Sequence, residues 1–190
     1  MTHQEQMLSK ANVYVMPAID DYLATRCLLL NSIFVGLTLA HEAVEKLMKG
    51  LLILEGVKIP KSCHEVNTLS ELLIKKDKTK YKFLNKNKDF IKHLDQNYAW
   101  RYYDGDVKKR SKKRGISELN PIDKLWIALY DRYIEFIPDK YKPGNYLAGY
   151  LFAPDIQKFA NWSEILKTDN RALEKKTDWQ DSFIRWYSGK

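Results

Sequence analysis

Between Ile33 and Glu55 the chain carries an apolar stripe at helical spacing, and Gly56, with Pro60 just beyond, stops the pattern. Leu37, Ala40, Val44, Leu47, Leu51 and Leu54 recur every three or four residues, so they line one side of a helix. Glu42 and Lys46, and Glu45 and Lys49, stand four apart with the acid first, the order that supports a helix. Asn31 and Ser32 offer capping oxygens before it. A helix with so long an apolar face must bury it against other elements, which makes a helical bundle the expected frame.

Partners for that face are legible on both sides. Ile19, Tyr22, Leu23, Cys27 and Leu30 predict a first helix over Pro17 to Leu30, extending upstream through Val13 and Tyr14. Ser62-Cys63-His64-Glu65 fits a capping box, and a third helix through Leu69, Leu72, Leu73 and Ile74 follows it. After a polar turn at Asp77 to Thr79, Tyr81, Leu84, Ile91, Leu94 and Tyr98 predict a fourth helix reaching the edge of Arg101. Asp104 to Gly115 reads as a loop. Asn120 then Pro121 marks the start of a fifth helix with Ile122, Leu125, Trp126, Leu129, Tyr133 and Phe136 inward, ending before Pro138. No strand series or internal repeat interrupts this pattern, so the fold class is all-α, a bundle of four to five helices.

Residues 1–137 are expected to form the bundle and residues 138–190 a C-terminal extension packed on it. Tyr141 to Pro154 is rich in Pro, Gly and Tyr and is read as irregular, held by its aromatic rings. The tail from Asn161 to Tyr187 is read as partly helical, with Trp179, Phe183, Trp186 and Tyr187 as an anchor. The chain, 190 residues and 45% apolar, is large enough for one such core.

The longest uncharged apolar stretch, Cys27 to Ala40, is too short for a bilayer crossing of about 20 residues, and Met1 to Lys10 has no signal-peptide core. A cytoplasmic protein without membrane contact is expected. Cys27 and Cys63 show neither CxxC nor His spacing for zinc, so both are read as packing residues, with no metal and no cofactor implied. The net charge of +8 favours polyanions where it is concentrated, and it is concentrated at Lys108, Lys109, Arg110, Lys112, Lys113 and Arg114.

Three stretches, taken together and in order, resemble the HEPN domain family (higher eukaryotes and prokaryotes nucleotide-binding). They are Ala40 to Leu52 (AHEAVEKLMKGLL), then Glu55-Gly56-Val57 with Pro60 and His64, then Leu94 to Asp104 (LDQNYAWRYYD). The likeness covers about Pro17 to Ile137. It implies a HEPN-like up-and-down bundle that commonly forms a homodimer and acts as an RNase, as an RNA or nucleotide binder, or as the partner of a nucleotidyltransferase.

The resemblance also implies a site. Catalytic members carry an Arg followed, after four to six residues, by a His. Arg supplies a fixed cation against charge building on phosphorus, and His moves protons. Arg101 stands in the Arg place, but Asp106, Val107 and Lys108 occupy the positions for His. The motif is incomplete, and a guanidinium still binds phosphate without the His. RNA or nucleotide binding is therefore expected ahead of a metal-independent, toxin-like endoribonuclease.

The expected binding residues are Arg101, Tyr102, Lys108, Lys109, Arg110, Lys112, Lys113 and Arg114. Six cations in seven positions track phosphates without reading sequence, and Trp100, Tyr102 and Tyr103 are placed to stack bases. The bland alternatives are a solvated loop and an Arg closing a helix end. Glu42, Glu45, Lys46 and Lys49 are read as a solvated face stitched by ion pairs, His64 as a helix-start residue and His93 as an ordinary surface imidazole.

Overall fold

The computed structural model describes residues 2–99, 116–158, 161–174 and 176–189. Helix α1 spans His3–Leu30 and begins with a capping box at Thr2, whose hydroxyl accepts from the Glu5 amide at 3.2 Å while the Glu5 carboxylate accepts from the Thr2 amide at 2.7 Å. It is far longer than its apolar pattern suggested and runs through Pro17. Val13, whose carbonyl loses its helical donor there, is 71% exposed, so water can serve it.

Helix α2 is Gly36–Leu54. Its start differs from the sequence expectation. Val35 is the N-cap without a side-chain bond, Ser32 turns the chain at φ 58°, and the Asn31 amide instead donates back to the Cys27 carbonyl, closing α1. Gly50 lies against Val15 and the Ala11 carbonyl while Gly36 lies against Leu29, so the two helices run antiparallel in close contact. Leu37, Ala40, Val44, Leu47 and Leu51 are buried as expected, and α2 packs on α1, α3, α5 and α6.

Helices α3 (Val66–Lys76), α4 (Lys82–Lys86) and α5 (Lys88–Ala99) follow. The expected single fourth helix is thus broken at Asn87, whose side-chain amide donates to the Phe83 carbonyl and so ends α4. Tyr81, Leu84, Ile91 and Leu94 are nevertheless buried. Helix α6 is Ile116–Ile134, with Pro121 inside it, so Asn120 is not its cap. Ile122, Leu125, Trp126, Leu129 and Tyr133 face the core, where Trp126 stacks on Tyr22 with ring centroids 4.1 Å apart.

Beyond a 3-10 turn at Asp139–Tyr141 come α7 (Tyr146–Phe152), α8 (Pro154–Gln157), α9 (Trp162–Lys167) and α10 (Trp179–Tyr187). The segment read as irregular therefore holds a helix. Asn145 caps it by accepting from the Ala148 amide at 3.1 Å, and it also accepts from the buried Tyr130 hydroxyl. Of the four anchor aromatics Phe183 is buried, while Trp186 and Tyr187 stay 40% and 51% exposed. The described residues are all-α with no strand, and none of their helices is long and apolar enough to cross a membrane.

Candidate functional site

Where α2, α5 and the start of α3 meet, polar side chains concentrate inside the bundle. Asp95 of α5 is at its centre. Its carboxylate accepts from the Val66 amide at 2.8 Å and the Asn67 amide at 3.0 Å, and pairs with His41 Nε2 at 2.9 Å. A carboxylate from α5 thus caps α3, satisfying amides that the helix itself leaves unbonded. The Ser62 capping box does not form. The N-cap is Glu65, with no side-chain bond to the backbone, Ser62 has φ 55°, and the Glu65 carboxylate accepts from the Thr68 hydroxyl.

His41 is buried and its ring lies parallel to that of Tyr98, with centroids 3.9 Å apart. Its Nδ1 has no hydrogen-bond partner among the described residues and stands 3.8 Å from Glu45 Oε2. Glu45 is buried as well. Its Oε1 accepts from Lys49 Nζ at 2.6 Å and faces His64 Nδ1 at 3.1 Å. A buried carboxylate persists only when paired, and here two cationic or donor groups converge on it.

The solvated-face reading of α2 is therefore corrected for Glu45, because α2 is enclosed by four helices and has little outer face. Lys46 reaches Asp21 of α1 at 2.5 Å as well as Glu42 at 3.7 Å. Burial raises the Asp21 carboxyl above its ordinary range despite Lys46. Burial is also the largest influence on Lys46 and depresses it, yet Asp21 and Glu42 together hold its ammonium above the ordinary value. His64 stands just before α3, as expected, and also binds Glu45 while remaining 59% exposed.

A second polar contact joins α5 to α6. His93 Nε2 lies 3.5 Å from Glu118 in the first turn of α6, and Asn97 Nδ2 lies 3.1 Å from the same nitrogen. His93 is thus a partly exposed imidazole tied to both helices. These contacts flank residues 100–115 on both sides. Arg101, Tyr102, Lys108, Lys109, Arg110, Lys112, Lys113 and Arg114 lie outside the described residues, as do Trp100 and Tyr103.

The sequence reading missed a buried network. Arg26 of α1 pairs with Asp123 of α6, and the same guanidinium donates to the Ile165 carbonyl at 2.9 Å and to that of Thr168. The Tyr22 hydroxyl donates to Asp123 at 2.6 Å and accepts from Asn170 at 3.0 Å. Burial pushes the Asp123 carboxyl up, against the pull of Arg26 and the Tyr22 hydroxyl. A signal existed: Arg26 falls four residues after Tyr22, on the apolar side of the predicted first helix. His41 with Asp95 left no such signal, being 54 residues apart.

Among the described residues no three His, Cys, Asp or Glu side chains gather to hold a metal, and Cys27 and Cys63 are free thiols. Asp95 has its oxygens committed and His41 is enclosed. Among the described histidines, His64 and His93 combine a carboxylate contact with access to solvent.

The fold is an all-α bundle whose second, third and fifth helices are pinned by the buried Glu45 and the partly buried Asp95. The HEPN domain family model matches residues 34–122, from just before α2 into α6. This stretch of the chain is a HEPN domain, of a family associated with RNA binding and ribonuclease activity. No curated protein and no solved structure matches the chain.

Proposed function

We propose that the protein binds RNA or nucleotides through Arg101 and the basic run from Lys108 to Arg114, with Tyr102 beside the Arg. The observation that carries this reading is the HEPN match, because residues 34–122 include Arg101 and all six cations of the run. The missing His removes the usual proton carrier, whereas phosphate binding needs only the guanidinium and its neighbours. Bundle residues 1–137 carry the binding in this reading, and residues 138–190 form an extension clamped to it by Arg26 and Tyr22. A second copy of the chain is the expected partner, bringing two Arg101 side chains to one cleft.

Binding of labelled single-stranded RNA across salt concentrations tests this. Arg101→Ala and a variant with Lys108, Lys109, Arg110, Lys112, Lys113 and Arg114 changed to Gln are each expected to weaken binding. The second should flatten the salt dependence by roughly 0.7 in log–log slope per lost phosphate contact. Binding that ignores both the substitutions and the salt would sink the proposal, and would favour a module for a protein partner such as a nucleotidyltransferase.

A second reading, RNA cleavage, is favoured by one observation. The exposed His64 imidazole is oriented by the buried Glu45 carboxylate, the arrangement that prepares a histidine for proton transfer. Metal-independent cleavage lost on both His64→Ala and Arg101→Ala would establish it.

A further inference from the structure

At the far end of α6 the chain holds a second concave surface, outside the matched residues 34–122. Leu8 and Asn12 of α1, Tyr133 and Ile137, then Tyr141, Gly144 and Tyr146, and Trp186 of α10 surround about 220 Å³. No charged side chain is among the described residues that line it, so it is not built for a bare phosphate. Its walls are aromatic. Tyr141, Tyr146 and Trp186 remain 50%, 38% and 40% exposed, although each is large enough to reward burial.

The walls are also fixed in place. The Trp186 indole lies so close to Gly144 that a Cβ there would stand 2.3 Å from the ring, and the Phe183 ring packs at a tilt against it with centroids 5.9 Å apart. Asn12 accepts from the Tyr133 hydroxyl at 2.8 Å, while its own amide reaches the Tyr146 hydroxyl only at 3.4 Å. That weakly used donor stands at the pocket. Lys140, whose ammonium lies 4.7 Å from the Tyr141 ring centre, supplies positive charge at the rim.

Rigid, half-exposed rings, an amide donor and a cation at the edge match a flat heterocycle attached to a phosphate chain. We infer that this groove stacks an unpaired base of a single-stranded RNA. The inference rests on the proposed RNA binding and extends it to a second contact. Glu118 and Tyr133 are separated by roughly 22 Å along α6 at 1.5 Å per residue, so a strand bound at the first turn of α6 must be several nucleotides long to reach the groove.

The test uses fluorescein-labelled oligouridines of 4 and 16 nucleotides with the full chain. Trp186→Ala and Tyr141→Ala are each expected to weaken binding of the 16-mer by at least about fivefold, the low end of one lost base stack. The salt slope should not change, binding of the 4-mer should be unaffected, and Trp186→Tyr should restore affinity. Thermal midpoints of both Ala variants check that the fold is kept.

Wild-type affinity for the 16-mer in both Ala variants overturns the groove while leaving the RNA-binding reading intact. A loss of self-association in the variants, with RNA binding kept, overturns it too and makes the groove a contact between protein surfaces. A wild type that binds neither oligomer overturns both readings.

Discussion

The Arg26 guanidinium and the Asp123 carboxylate form an ion pair buried between α1 and α6, with neither side chain reaching solvent. Arg26 also holds the Ile165 and Thr168 carbonyls, so one side chain ties the C-terminal segment to the core.

Removing one partner leaves the other charge unpaired inside the protein. Asp123→Ala and Arg26→Ala are each expected to destabilise by about 3–5 kcal/mol, read from urea midpoints. An Arg26→Met, Asp123→Leu double variant should recover part of that loss, because two apolar groups remove the stranded charge. If it is no more stable than the single variants, the carbonyl bonds of Arg26 matter more than its ion pair.

Asp95 caps α3 from α5 and also orients His41. Asp95→Ala is expected to cost about 1–3 kcal/mol, combining a lost cap with a lost hydrogen bond to a charged group. Ser62→Ala, at the cap expected from the sequence, should stay within about 0.5 kcal/mol of wild type. Equal losses at the two positions would contradict the α5 cap.

Gly50 sits where α2 crosses α1, and a Cβ there would stand 2.7 Å from a Val15 methyl carbon. Alanine favours a helix, yet Val15 is β-branched and cannot swing away easily. Gly50→Ala should therefore destabilise, by about 1–3 kcal/mol, in thermal or urea unfolding. Gly50→Ala with Val15→Ala should relieve the clash. A stabilised single variant would mean that the helices separate without penalty.

Burial raises the ionisation of Tyr22, Tyr81, Tyr130 and Tyr133 above the ordinary tyrosine range. Burial first, then the Asp20 carboxylate, lifts Tyr150 to about 12. The unfolded chain releases these protons near pH 10 and the folded one does not, so the folded state binds more protons. Stability should be unaffected by them below about pH 10 and fall as pH rises beyond it. Absorbance at 295 nm should show the buried group ionising in one step together with loss of helical circular dichroism. Smooth titration of every tyrosine before unfolding would refute this.

Local pattern determined a good deal. The α2 stripe, the Glu45 and Lys49 pair and the inward face of α6 follow from helical periodicity, which depends only on near neighbours. The HEPN resemblance rested on the same residues and holds over 34–122, a narrower stretch than Pro17 to Ile137. Helix ends were less legible. Ser62 with Glu65 and Asn120 with Pro121 carry the chemistry of helix starts, but Asp95 takes over the first and α6 begins upstream of the second.

Tertiary structure alone decided which charges are inside. Glu45 resembles any surface glutamate until α2 is enclosed by its neighbours, and Arg26 resembles a polar spacer until Asp123 arrives from 97 residues away. The chain encodes the side chains and the helix on which each lies. Burial and pairing depend on contacts between distant segments, and a carboxylate's environment exists only once those segments have packed.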